Sequence, residues 1–83
     1  MKIKGTLFTK ASCPFCVMVE SYLETHKIEI DRIDISNNPK QRDYLINIGG
    51  KSQVPCYVLN NSPLYESIDI INYFEDYIYD RAN

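Results

Sequence analysis

Three cysteines in a chain of 83 residues are too few to staple a small fold, and an odd number cannot all pair within one chain. Two of them, Cys13 and Cys16, sit so close that a bridge between them restrains little of the unfolded chain. Chemistry is a better use for that pair than architecture. A run of basic residues is also missing, and the net charge is -2, so nucleic acid is not an expected partner. Long hydrophobic runs are absent as well. Met1 leads to Ile3, Leu7 and Phe8 with Lys4 and Gly5 between, too short for a signal peptide or a membrane span. The expectation is a cytoplasmic protein with no membrane partner. Metal ligands are equally scarce: beyond the close pair there are only Cys56 and His26, with no second pair to complete a tetrahedral site. No metal is expected, and His26 reads as a surface residue favoured by the negative end of a helix. With no linker, repeat or low-complexity segment, residues 1–83 read as one small domain with a modest core, expected to be a monomer.

What the sequence does contain is organised around Cys13-Pro14-Phe15-Cys16, which follows an apolar run and opens an amphipathic pattern. A reducing compartment makes such a pair catalytic or metal-binding rather than structural. The start of a helix favours the negative thiolate at Cys13, and proline is tolerated in the first turn because no amide donor is needed there. Cys16 falls one turn inside, on the face that carries Val19 and Leu23, and is expected to be more buried and less ionised. Cys13 is therefore the candidate nucleophile and Cys16 the resolving thiol. Lys10, three residues upstream, reads equally well as an assisting cation or as a solvated loop lysine.

Taken in order, Lys2 to Thr9 alternates as a strand and Phe15 to His26 is helical. Residues 28–35 form a second strand whose apolar phase switches near Arg32, as in a strand covered on both faces. An intervening helix makes the two strands parallel. Asn38 and Pro39 start a second helix with Tyr44, Leu45 and Ile48 on its apolar face, and Gly49-Gly50 ends it. Val54 to Leu59 reads as a third strand, Asn60-Asn61 as a turn, and Ser62 to Tyr65 as a fourth strand. A final helix from Ser67, its expected cap, to Tyr79 carries Ile68, Ile71, Phe74 and Ile78 as its core stripe, widened by Ile70, Tyr73 and Tyr77. One α/β layer structure, βαβαββα, accounts for the whole chain: a four-stranded mixed sheet flanked by three helices.

The early strand, Cys13-Pro14-Phe15-Cys16 at a helix start, Val54-Pro55 opening a later strand and the acidic and hydroxyl pair after it resemble a dithiol glutaredoxin of the thioredoxin-like fold. The segment Gln53-Val54-Pro55 with Leu64-Tyr65-Glu66-Ser67-Ile68-Asp69-Ile70-Ile71 is similar to the glutathione-recognition half of glutathione S-transferase N-terminal domains. Both resemblances imply glutathione as co-substrate, with no permanently bound cofactor, and glutathionylated or disulfide-containing proteins as clients. They imply that Cys13 becomes glutathionylated and that Cys16 is the second thiol. Pro55 matches a cis-proline that leaves the Val54 backbone open to the cysteinyl unit. Lys10 and Lys51, helped by Gln53, match groups for the glycyl carboxylate, and Glu66 and Ser67 match the γ-glutamyl end. Without the resemblance, Glu66-Ser67 is a helix cap and Val54-Pro55 an edge-strand start. Phe15 stands where many dithiol glutaredoxins have tyrosine, keeping an apolar cover without the hydroxyl. Leu64-Tyr65 replaces a glycine pair, leaning that end toward the transferase-like version. Cys56 reads as a small strand residue, or as a third redox thiol if it faces the site. The alternatives to a glutathione-dependent reductase are a redoxin reduced by a flavoprotein and a non-catalytic module binding glutathione or an iron-sulfur cluster.

Overall fold

In the computed structural model, which describes residues 2–82, strand β1 (Lys2–Thr9) runs through the middle of the sheet. It pairs in parallel with β2 (Glu29–Asp34) and antiparallel with β3 (Cys56–Leu59), and β4 (Ser62–Leu64) completes the order β2-β1-β3-β4. Helices α1 (Pro14–Thr25), α2 (Pro39–Gly49) and α3 (Ser67–Ala82) give the expected βαβαββα sequence of a thioredoxin-like fold. Both faces of the sheet are covered. Ile3, Leu7, Ile30 and Tyr57 pack with Val19 and Leu23 of α1 and with Ile70 and Phe74 of α3. On the other face Phe8, Cys56 and Val58 pack with Ile35 and with Leu45 of α2. A strand covered on both faces buries successive residues, and Leu7, Phe8 and Thr9 are all buried.

The alternation expected of β1 is broken at Gly5, where φ is +100° and the register with β2 shifts. A Cβ at this position would lie 2.7 Å from both the Tyr57 ring and the Val58 carbonyl, so only glycine fits the bulge. The expected phase switch in β2 is present. Ile30 joins the α1/α3 side and Ile33 packs against the α2 side. The strand stops at Asp34, one residue short of expectation, because Ile35–Asn37 coil into a 3₁₀ turn whose Ser36 amide donates to Asp34 Oδ1 at 2.7 Å. Asn38 occupies the N-cap position of α2 without capping it; its side-chain Nδ2 donates instead to the Asp34 carbonyl at 2.7 Å. Gly50 ends α2 in the left-handed region with φ 79°, its N–H on the Ile46 carbonyl at 2.7 Å.

Four further expectations are corrected. The third strand begins at Cys56 rather than Val54, since its ladder with β1 starts at the Cys56–Phe8 pair; Val54 and Pro55, joined by a cis peptide bond, precede it. The fourth ends at Leu64 rather than Tyr65. In α3 the fully buried positions are Ile70 and Phe74, whereas Ile68 is 60% exposed. The buried stripe is thus set by Ile70 and Phe74, with Ile71, Tyr77 and Ile78 partly buried beside it. Ser67 is the first helical residue, not the cap: the Glu66 carbonyl accepts the first helical bond, from the Ile70 amide at 3.0 Å.

Candidate active site

The loop after β1 delivers Cys13 to the N-cap of α1 in extended conformation, φ -96° and ψ 113°, with Pro14 as the first helical residue. Its amide is tied to the Lys10 carbonyl at 3.1 Å and its own carbonyl accepts from Val17 at 3.1 Å, so the backbone on both sides of the sulfur is held. The Cys13 sulfur accepts the Cys16 N–H at 3.2 Å and its thiol donates to the Val54 carbonyl at 3.8 Å. A donor fixed on the sulfur suits an anionic nucleophile. Cys16 is 1% exposed, and its thiol is pushed up to about 12 by burial first and then by the hydrogen bond with Cys13. One turn of helix therefore carries a half-buried thiol and a buried, protonated one, the division a nucleophile and a resolving thiol require.

Two cavities meet at Val54, which lines both. The first, about 420 Å³, is walled by Phe15, Gln53, Val54, Pro55, Glu66 and Ser67, with the exposed Ile68 adding apolar surface. Gln53 donates to Glu66 at 3.1 Å across it. Glu66 itself sits at φ 69°, a left-handed conformation costly for a residue with a Cβ. The second cavity, about 400 Å³, is lined by Lys10, Ile35, Ser36, Arg42, Ser52 and Val54. Seven of the sequence-named residues (Lys10, Phe15, Gln53, Val54, Pro55, Glu66 and Ser67) thus border one or other cavity, and Cys13 touches the residue between them. Lys51 lies apart from these linings: its ammonium stacks over the Tyr65 ring at 4.4 Å. Cys56 is fully buried among Phe8, Leu45 and Val58 on the α2 side, and burial pushes its thiol up to about 11. That placement excludes it as a third redox thiol facing the site.

Sequence reasoning passed over Arg42 and misplaced Ile68. Arg42 carries no motif; its one signal is its position three residues after Pro39, in the first turn of α2 beside the end of β2. Ile68 lies in the apolar run Ile68 to Ile71 broken by a single aspartate, and such a run fits more than one buried face.

The family model for glutaredoxin matches residues 6–63, from β1 through both thiols and Val54-Pro55 to the middle of β4. This chain belongs to the glutaredoxin family. It is 28% identical over 68 residues to glutaredoxin 1 of Rickettsia prowazekii (strain Madrid E), covering 80% of this chain and 72% of the relative. To glutaredoxin 1 of Rickettsia typhi (strain ATCC VR-144 / Wilmington) it is 26% identical over 72 residues, 84% of this chain and 69% of that one. The holo form of glutaredoxin C1 from Populus tremula x tremuloides superposes with a TM-score of 0.67 at 15% identity, covering 87% of this chain and 74% of the other, a likeness of fold. This glutaredoxin is a disulfide oxidoreductase of the family's type, and none of its described helices is long and apolar enough to cross a membrane. The family match ends before Glu66 and Ser67, so that part of the first cavity rests on geometry alone.

Proposed function

We propose that this glutaredoxin reduces protein disulfides and glutathione mixed disulfides through Cys13 and Cys16, with glutathione as electron donor. The observation that carries the reading is the Cys13 sulfur, held between the Cys16 amide and the carbonyl of Val54, the residue that lines both cavities. The Cys13 thiolate attacks the glutathionyl sulfur of a mixed disulfide. A new S–S bond forms to Cys13, the client's S–S bond breaks, and the client thiolate leaves to take a proton from water. A second glutathione thiolate then attacks the Cys13 adduct, releasing oxidised glutathione. For a protein disulfide, Cys13 attacks one client sulfur and Cys16, once deprotonated, attacks the Cys13 side of the mixed disulfide. Two glutathione molecules then restore the dithiol.

The cysteinyl unit lies along the Val54 backbone, which the absence of a ladder partner leaves open to an added strand. The γ-glutamyl end occupies the cavity of Gln53, Glu66 and Ser67, its ammonium toward the Glu66 carboxylate and its carboxylate toward the first turn of α3. The glycyl carboxylate takes Lys10 and Arg42; Lys51, engaged by Tyr65, is left out of that contact. Glutathione is a co-substrate in this scheme and no resident cofactor is needed. A glutathione-coupled assay on a small mixed disulfide tests it. Cys13→Ser is expected to abolish turnover and Cys16→Ser to retain deglutathionylation while losing reduction of protein disulfides. Full activity in Cys13→Ser overturns the assignment.

A further inference from the structure

The second cavity is an open groove whose walls run from Lys10 and Arg42 to Ile35, Ser36 and Ser52. Its volume, about 400 Å³, leaves space beside a bound glycyl carboxylate for a short side chain. Its chemistry is also richer than a carboxylate demands. Lys10 and Arg42 are both exposed cations on its walls, but the Asp34 carboxylate is within electrostatic reach of Lys10. Asp34 is in turn held by the Ser36 side chain and amide. The Asp34 carboxylate beside this wall repels a second acid, so a neutral side chain suits the site better than an acidic one. The remaining wall offers the half-buried Ser52, whose hydroxyl makes no hydrogen bond among the described residues, and the buried apolar Ile35.

We infer that this glutaredoxin also uses γ-glutamylcysteinyl tripeptides whose third residue carries a neutral hydrogen-bonding side chain, such as serine or glutamine. The inference rests on the preceding reading, in which the cysteinyl sulfur meets Cys13 beside Val54. The aliphatic stem of the third side chain lies toward Ile35 and its polar end toward Ser52, while its carboxylate keeps Lys10 and Arg42. The redox step is unchanged. Cys13 takes the tripeptide sulfur from a mixed disulfide and the other thiol leaves with a proton. The thiolate of a second molecule of the same tripeptide then attacks the adduct sulfur, so the Cys13 S–S bond breaks, the tripeptide disulfide leaves, and Cys13 regains its electron pair as a thiolate.

The test uses full-length Cys16→Ser, in which the adduct on Cys13 persists, and mixed disulfides of 2-mercaptoethanol with γ-Glu-Cys-Gly, γ-Glu-Cys-Ser, γ-Glu-Cys-Gln and γ-Glu-Cys-Glu. Adduct formation is followed by intact mass. The serine and glutamine forms are expected to load within about twofold of the glycine form or faster, and the glutamate form at least about threefold slower than glutamine. Ser52→Phe, which fills the cavity, should slow the glutamine form at least about fivefold more than the glycine form. Serine and glutamine forms more than about tenfold slower than glycine overturn the inference, since the subsite then fits glycine only. Four equal rates that Ser52→Phe leaves equal also overturn it, because the third residue then lies in solvent. If the glycine form itself fails to load Cys13, the glutathione reading falls and this inference with it.

Discussion

The backbone amide of Cys16 donates to the sulfur of Cys13 across 3.2 Å, while the sulfur of Cys16 is itself buried. One residue thus supports its neighbour's reactivity through its amide and has its own suppressed by burial, which pushes its thiol up to about 12. Alkylation should expose this asymmetry. Treated with iodoacetamide near neutral pH, the reduced protein is expected to be modified at Cys13 first, with Cys16 and Cys56 at least about a hundredfold slower. Peptide mapping by mass spectrometry after a time course checks it, and equal rates at Cys13 and Cys16 would remove the division of labour.

Glu66 holds φ 69° at the start of α3 while its side chain, bonded to Gln53, forms one wall of the first cavity. Backbone and side chain pull in opposite directions here. Glu66→Gly relieves the left-handed strain and is expected to stabilise the fold by on the order of 1 kcal/mol in urea unfolding. The same change removes the carboxylate, so the KM for glutathione should rise by about threefold or more with kcat little altered. A variant that is both more stable and unchanged in KM would remove Glu66 from the γ-glutamyl subsite.

Gly5 leaves no room for a side chain between β1 and β3. Gly5→Ala must hold φ near +100° and push a methyl to 2.7 Å from the Tyr57 ring and the Val58 carbonyl, the latter being backbone that cannot swing away. The same Tyr57 donates its hydroxyl to the Lys4 carbonyl at 2.6 Å, so displacing the ring also threatens a part-buried hydrogen bond. A loss of about 2–4 kcal/mol is expected for Gly5→Ala, and about 1 kcal/mol for Tyr57→Phe, which removes only the bond. Chemical denaturation of both variants checks the order.

Much of this arrangement was legible because several local signals agree. Pro14 sits where a first turn tolerates it, and Cys16, Val19 and Leu23 repeat at helical spacing, so the sequence itself distinguishes a thiol at the helix start from one on the buried face. The phase switch in β2 likewise announced a sheet covered on both faces. The bulge at Gly5 was silent, because a glycine in a strand shows no preference that tells a bulge from a weak pairing position. The buried face of α3 is ambiguous in sequence because its first five residues hold three isoleucines, and only packing against the sheet selects Ile70 over Ile68. Arg42 had no signature, since its partners Lys10 and Ser52 are joined to it only by the fold. Lys51 entered through the resemblance alone, and no sequence signal announced that its ammonium would lie over the Tyr65 ring.

The buried thiols should also shape stability at alkaline pH. In the unfolded chain Cys56 ionises near its ordinary value of 9.0, whereas burial in the folded protein raises it to about 11. Between those values the unfolded chain has lost a proton that the native protein keeps, so each rise in pH favours unfolding. The contribution is complete below about 9 and is lost as pH rises toward about 11 for Cys56 and about 12 for Cys16. Tyr57, also raised by burial, acts in the same direction. Cys56→Ala separates one share from the rest. It opens a small cavity among Phe8, Leu45 and Val58 and is expected to cost about 1 kcal/mol in mild conditions. Between about pH 8 and about pH 10.5, however, the variant should lose less stability than the wild type, by on the order of 1 kcal/mol. Urea unfolding under reducing conditions at both ends of that range measures the difference. Parallel losses in the two proteins would mean that the Cys56 thiol ionises as readily in the folded chain as in the unfolded one, contrary to its burial in the α2-side core.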